Sequence, residues 1–77
     1  MQIFIVEREE NTGEGFWQSG GITLCSTFEI ARREMLAMIK KSNEGEFSLV
    51  EMKDEAIATS KNGWVKFRIY PCDVINQ

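Results

Sequence analysis

The segment Ser26–Lys41 (STFEIARREMLAMIKK) constrains this chain more than any other, because it alone carries an unambiguous helical period. Phe28, Ala31, Met35, Met38 and Ile39 recur at spacings of three and four, so they share one face. Leu36 flanks that stripe, while Ile30, Arg33, Glu34, Ala37 and Lys41 fall on the other side. Ser26 and Glu29 form a Ser-x-x-Glu capping box. In it the hydroxyl accepts from an amide one turn in, and the carboxylate meets the positive end of the helix dipole. Lys40 and Lys41 suit the opposite end, and Asn43 and Gly45 supply the stop. A helix this short is marginal alone in water, so its apolar stripe requires a sheet to cover. The Met35/Met38 pair reads as core filler rather than an adaptable binding surface, and Ile30 as an isolated exposed apolar residue.

The remaining chain reads as strands. Met1–Arg8 is apolar on both faces, with Ile3 and Ile5 on one and Phe4 and Val6 on the other, as in a strand buried on both sides at the centre of a sheet. Glu9–Gly15 is a loop, and Phe16–Cys25 a second strand in which Gly20-Gly21 marks a bulge or bend. Glu46–Lys53 makes a third strand and Ala56–Lys61 a short fourth, against which a helical turn capped by Asp54 competes. Asn62-Gly63 is the strongest hairpin signal, of the type I′ kind. Trp64–Tyr70 follows as the clearest strand, and Pro71 interrupts or edges the sheet. The expectation is a single domain over residues 1–77 of the α+β class. Its order is ββαβββ, with one helix on one face of a mostly antiparallel sheet of four or five strands.

Length and composition narrow the function classes. Seventy-seven residues, 43% apolar and 27% charged, suffice for one core and no more. The net charge of −3 weakens non-specific attraction to DNA or membranes, and no apolar run approaches a membrane span. MQIFIVERE lacks the basic start and cleavage site of a signal peptide, so a cytoplasmic location is expected. There Cys25 and Cys72 are expected to be free thiols, and without histidine they cannot build a zinc site. A general base would have to be a carboxylate, lysine or tyrosine, and none stands in a recognised motif. Cys25 precedes a helix N-terminus, a setting that can activate a thiol, but it also ends an apolar strand and reads as structural. The glycine pairs lack the spacing of a phosphate-binding loop. No enzyme, cofactor or metal is expected.

Two constellations remain. Trp64, Lys66, Arg68 and Tyr70 alternate along one face of the last strand, opposite Val65, Phe67 and Ile69. Such residues are enriched at protein interfaces, and they also stack bases and track phosphates in single-strand binders. Glu9, Glu10 and Glu14 of the first loop, with Glu7 just before it, gather four carboxylates in a short span and could imitate phosphate charge toward a nucleic-acid-binding protein. One helix cannot cover both faces of a sheet, so the open face is expected to pack on a partner protein or a second copy. In size and composition the chain resembles small phage or mobile-element accessory proteins, some of which block a host machine as anti-CRISPR proteins do. That resemblance implies a non-enzymatic protein-binding module, with inhibition as its mode of action. The alternatives are an RNA or single-stranded DNA binder, which the acidic charge disfavours, and a structural homodimer subunit.

Overall fold

The computed structural model describes residues 1–75, and within them the expected helix stands at Phe28–Lys41 (α1). Its N-cap is Thr27 rather than Ser26: the Thr27 hydroxyl accepts from the Ile30 amide at 3.2 Å, the reach of a capping side chain. Glu29 stays in the first turn and Lys40 and Lys41 in the last. Ser42 closes the helix, its backbone N–H and hydroxyl both donating to the Ile39 carbonyl. Asn43 then takes the left-handed conformation at φ 57°. Ala31 and Met35 are fully buried, and Phe28, Met38 and Ile39 pack beside them. Ile30 departs from expectation, for it too packs on the core. It adjoins Ala31, and a sheet wider than the helix meets more than the central stripe.

Five strands surround the helix in sequence: β1 (Gln2–Asn11), β2 (Trp17–Cys25), β3 (Phe47–Glu51), β4 (Ala56–Ser60) and β5 (Val65–Asp73). They form one antiparallel sheet in the order β2-β1-β5-β4-β3. The α+β arrangement and its ββαβββ order are as the sequence implies. The segment from Ala56 is a strand paired on both sides, not a helical turn. β1 is interior, as its two apolar faces require, but the centre belongs to β5, whose Val65, Phe67 and Ile69 are almost wholly buried. β2 and β3 run parallel at opposite edges, so the link between them must cross the sheet. α1 makes that crossing and packs its apolar side on β5, β1 and β2.

Boundaries shift where pairing outweighs local propensity. Glu9 and Glu10 are not loop residues: β1 continues to Asn11, with Glu9 opposite Lys66 and Glu10 opposite Val65. An opposite-charge pair across the ladder offsets the weak strand preference of glutamate. The β1–β2 loop shrinks to residues 12–16, closed by the Thr12 amide and hydroxyl, both donating to the Phe16 carbonyl. The turn after β4 is not type I′, because Gly63 alone has positive φ and Asn62 does not. The Gly63 amide instead donates to the Ser60 carbonyl at 3.0 Å, placing glycine fourth, as in a type I turn. β5 passes through Pro71 to Asp73. β4 ends opposite Ile69, so beyond it β5 is paired on one side only and the missing proline N–H is tolerated. Among the described residues, no helix is long and apolar enough to cross a membrane.

The cap assignment has a direct consequence. Thr27→Ala is expected to cost about 1 kcal/mol of stability, whereas Ser26→Ala stays within about 0.5 kcal/mol. Urea unfolding midpoints of the two variants measure the difference, and equal losses would return the cap to Ser26.

Candidate functional site

The sheet face turned away from α1 is assembled by register. Partners opposite one another in an antiparallel ladder point to the same side. Phe4 and Val6 face the helix, so Ile3, Ile5, Glu7 and Glu9 face outward, with Cys72, Tyr70, Arg68 and Lys66 opposite them on β5. β2 adds Leu24 opposite Ile5 and Ile22 opposite Glu7, and β4 and β3 add Ile57 and Val50. Three of the four residues expected on this row, Lys66, Arg68 and Tyr70, therefore do lie together. Trp64 does not belong to β5. It sits in the preceding turn, about half exposed, bordering a shallow depression with Asn11, Glu10 and Glu44.

The tryptophan of the face is Trp17, which simple strand alternation does not place there. Alternation from Ile22 and Leu24 would send odd-numbered Trp17 to the helix side. However, Arg8 pairs with Gly21 and Glu9 with Ser19, leaving Gly20 as an extra residue on β2. This is the bulge that Gly20-Gly21 advertised, and Gly21 takes φ 140°, which a side chain would resist. One inserted residue reverses the parity, so Trp17 joins Ile22 and Leu24 on the open face. There the Lys66 ammonium lies 4.3 Å from the centre of its ring.

Charge at the centre of the face is matched internally. Glu9 accepts from Lys66 Nζ at 3.0 Å through one oxygen and from Arg68 Nη1 at 3.3 Å through the other. Its side chain is only 12% exposed. The Arg68 guanidinium also lies 5.3 Å from the Tyr70 ring centre, and Tyr70 Oη donates to Glu7 at 3.4 Å. Burial pushes the Tyr70 phenol above its ordinary value, and the Glu7 charge and hydrogen bond push it further. The four carboxylates of the expected acidic patch are thus dispersed. Glu9 is consumed by two cations, Glu7 is bonded to Tyr70, Glu10 turns to the helix side against Arg8, and Glu14 stays in the loop.

Apolar side chains flank this centre on both sides. Ile22 is 58% exposed, Leu24 61% and Val50 59%, and among the described residues no other element lies over them. Cys25 and Cys72 are free and occupy opposite faces of the sheet, Cys25 beside Phe4 and Cys72 beside Ile3. Burial, with the Glu34 charge in addition, pushes the Cys25 thiol up, opposite to the activation that a helix N-terminus can supply. Among the described residues, no cluster of three or more metal-ligating side chains occurs. No protein-family model, curated protein or solved structure matches this chain.

Two measurements probe the centre of the face. Glu9→Ala leaves two cations unpaired and is expected to cost about 2 kcal/mol, while Lys66→Ala or Arg68→Ala costs less because Glu9 keeps one partner. Equal losses in chemical denaturation would contradict a shared carboxylate. Tyr70 is the only tyrosine and the two tryptophans do not titrate, so the near-ultraviolet absorbance change on phenolate formation reports it alone. Its midpoint should lie above 10 and fall toward that value in Glu7→Gln. Because the folded value is the higher one, the associated stability is present below the unfolded value. It is lost as pH rises through the folded one.

Proposed function

We propose that this chain is a non-enzymatic protein-binding module and that its binding surface is the sheet face opposite α1. The observation that carries this reading is the uncovered apolar flank of Ile22 and Leu24 beside a charge-matched, aromatic-rich centre. Charges that neutralise each other leave a face whose burial strips little unpaired charge of water. Tyr70, Trp17 and Arg68 are the residue types that anchor protein interfaces. A protein partner with a complementary apolar patch fits this surface. The acidic residues are engaged separately and do not form a phosphate-like array, so the proposed binding does not rest on charge mimicry.

The nucleic-acid alternative is disfavoured by the same geometry. Lys66 and Arg68 are both spent on Glu9, and a strand that tracked phosphates would need them free. The non-enzymatic part of the proposal draws on the lack of histidine in the sequence and on the burial that pushes the Cys25 thiol up, away from activation. The resemblance in size and composition to phage accessory proteins supports inhibition as the outcome of binding.

The test is capture of partners from nuclease-treated lysate with the full chain and two variants. Ile22→Asp with Leu24→Asp changes exposed side chains, so its stability cost is expected to be small. It should abolish retention of a stoichiometric protein, while Arg33→Asp on the helix leaves retention intact. Retention unaffected by the Ile22/Leu24 change, or lost on nuclease treatment, would overturn the reading.

A further inference from the structure

The two edges of the sheet differ in a way that points to self-association. β2, at one edge, is interrupted by the Gly20 bulge, which breaks the regular row of backbone groups an incoming strand would need. β3, at the other edge, pairs with β4 in unbroken register from Phe47 to Glu51 and contains no proline, lysine or bulge. Proline, lysine and bulges commonly blunt an exposed strand, and β3 has none of the three; its one charged residue, Glu51 on the helix side, is ion-paired with Arg32 of α1. Leu49 on its helix side and Val50 on its open side are 39% and 59% exposed.

The backbone polarity of that edge follows from its two ends. The Lys61 amide donates to the Glu46 carbonyl at 2.9 Å, and the Met52 amide to the Glu55 carbonyl at 2.8 Å. Even-numbered residues of β3 therefore direct their polar groups toward β4, and Phe47, Leu49 and Glu51 direct theirs outward. The outward set is symmetric about Leu49.

We propose that this chain forms a two-fold symmetric dimer by antiparallel pairing of β3 with β3 of a second copy, centred on Leu49. Leu49 then faces its own counterpart, Phe47 faces Glu51, and Ser48 faces Val50. All three outward residues find hydrogen-bonding partners, two bonds per pair. No like charges are opposed, because Glu51 meets Phe47 and Glu46 meets Met52 of the other copy. Moving the centre to Val50 would set Glu46 against Asp54 and Leu49 against Glu51. Moving it to Ser48 would need Gly45, whose φ of 81° is not that of a strand, to pair with Glu51. A second copy matches this edge in length, backbone phase and charge. The product is one continuous sheet with both open faces on the same side, so a dimer would present the proposed binding surface twice.

The experiment is mass determination of the full chain by sedimentation, with Leu49→Pro as the probe. The Leu49 N–H points outward, so proline there removes no bond to β4, and a strand edge tolerates it. The wild-type mass should rise with concentration toward twice the 8.9 kDa of one chain, while Leu49→Pro stays at one chain mass with unchanged circular dichroism. Leu49→Cys, in a Cys72→Ser background with oxidised glutathione as oxidant, supplies a second measure should the proline variant unfold. Position 49 should cross-link to itself, since paired residues stand about 5.5 Å apart. Ser48→Cys should not, its counterpart lying beyond disulfide reach. A wild type that remains monomeric at millimolar concentration, a dimer untouched in a folded Leu49→Pro, or equal cross-linking at 48 and 49 would overturn the proposal. Ile22→Asp with Leu24→Asp should leave the dimer mass unchanged, which separates this edge from the partner-binding face.

Discussion

A single helix must serve a sheet wider than itself. α1 is about 10–12 Å across, whereas five strands at roughly 4.8 Å spacing put about 19 Å between the outer strand axes. The helix is placed where burial is worth most, over β5, β1 and β2, where Met35 and Ala31 close on Phe67, Ile69 and Val6. The β4–β3 side is left to cover itself with small residues, Ala56 and Ala58, and with Phe47 packed on Phe67 at 5.8 Å between ring centres. An exposed β3 edge and a sheet face without a second layer are both consequences of having only one helix.

The open face resolves its own electrostatics within the chain. Glu9 lies between Lys66 and Arg68, Tyr70 leans on Glu7, and Trp17 lies under Lys66. This arrangement depends on the bulge at Gly20, which turns Trp17 outward. It also depends on β1 extending through Glu9 to pair with β5. With its charges satisfied internally, the face offers aliphatic and aromatic area rather than a free cation or anion, which is the ground on which a protein partner is proposed over a polyanion.

Much of this was legible in the chain. The helical period of Phe28, Ala31, Met35, Met38 and Ile39, the alternation of Val65, Phe67 and Ile69, and the glycine pair each state a local geometry, and each appears in the fold. Lys66, Arg68 and Tyr70 could be placed on one face for the same reason, since a strand's period of two depends on nothing beyond the strand. Errors arose where a long-range partner decided. Glu9 and Glu10 look like loop residues until Lys66 and Val65 stand opposite them. Asn62 looks like a type I′ residue until its side chain accepts from Ser60 and from the Trp64 amide. Trp17 was missed although its signal was present, because a bulge on β2 reverses the face of every residue beyond it.

The sequence by itself thus determined the element types, their order and the inner side of α1 and β5, because periodicity, capping and turn chemistry act within a few residues. Only the tertiary structure decided which strand lies at the centre, which edge is left open and which charges cancel. Those outcomes depend on contacts between residues as distant in the chain as Glu9 and Arg68, and local spacing carries no information about them.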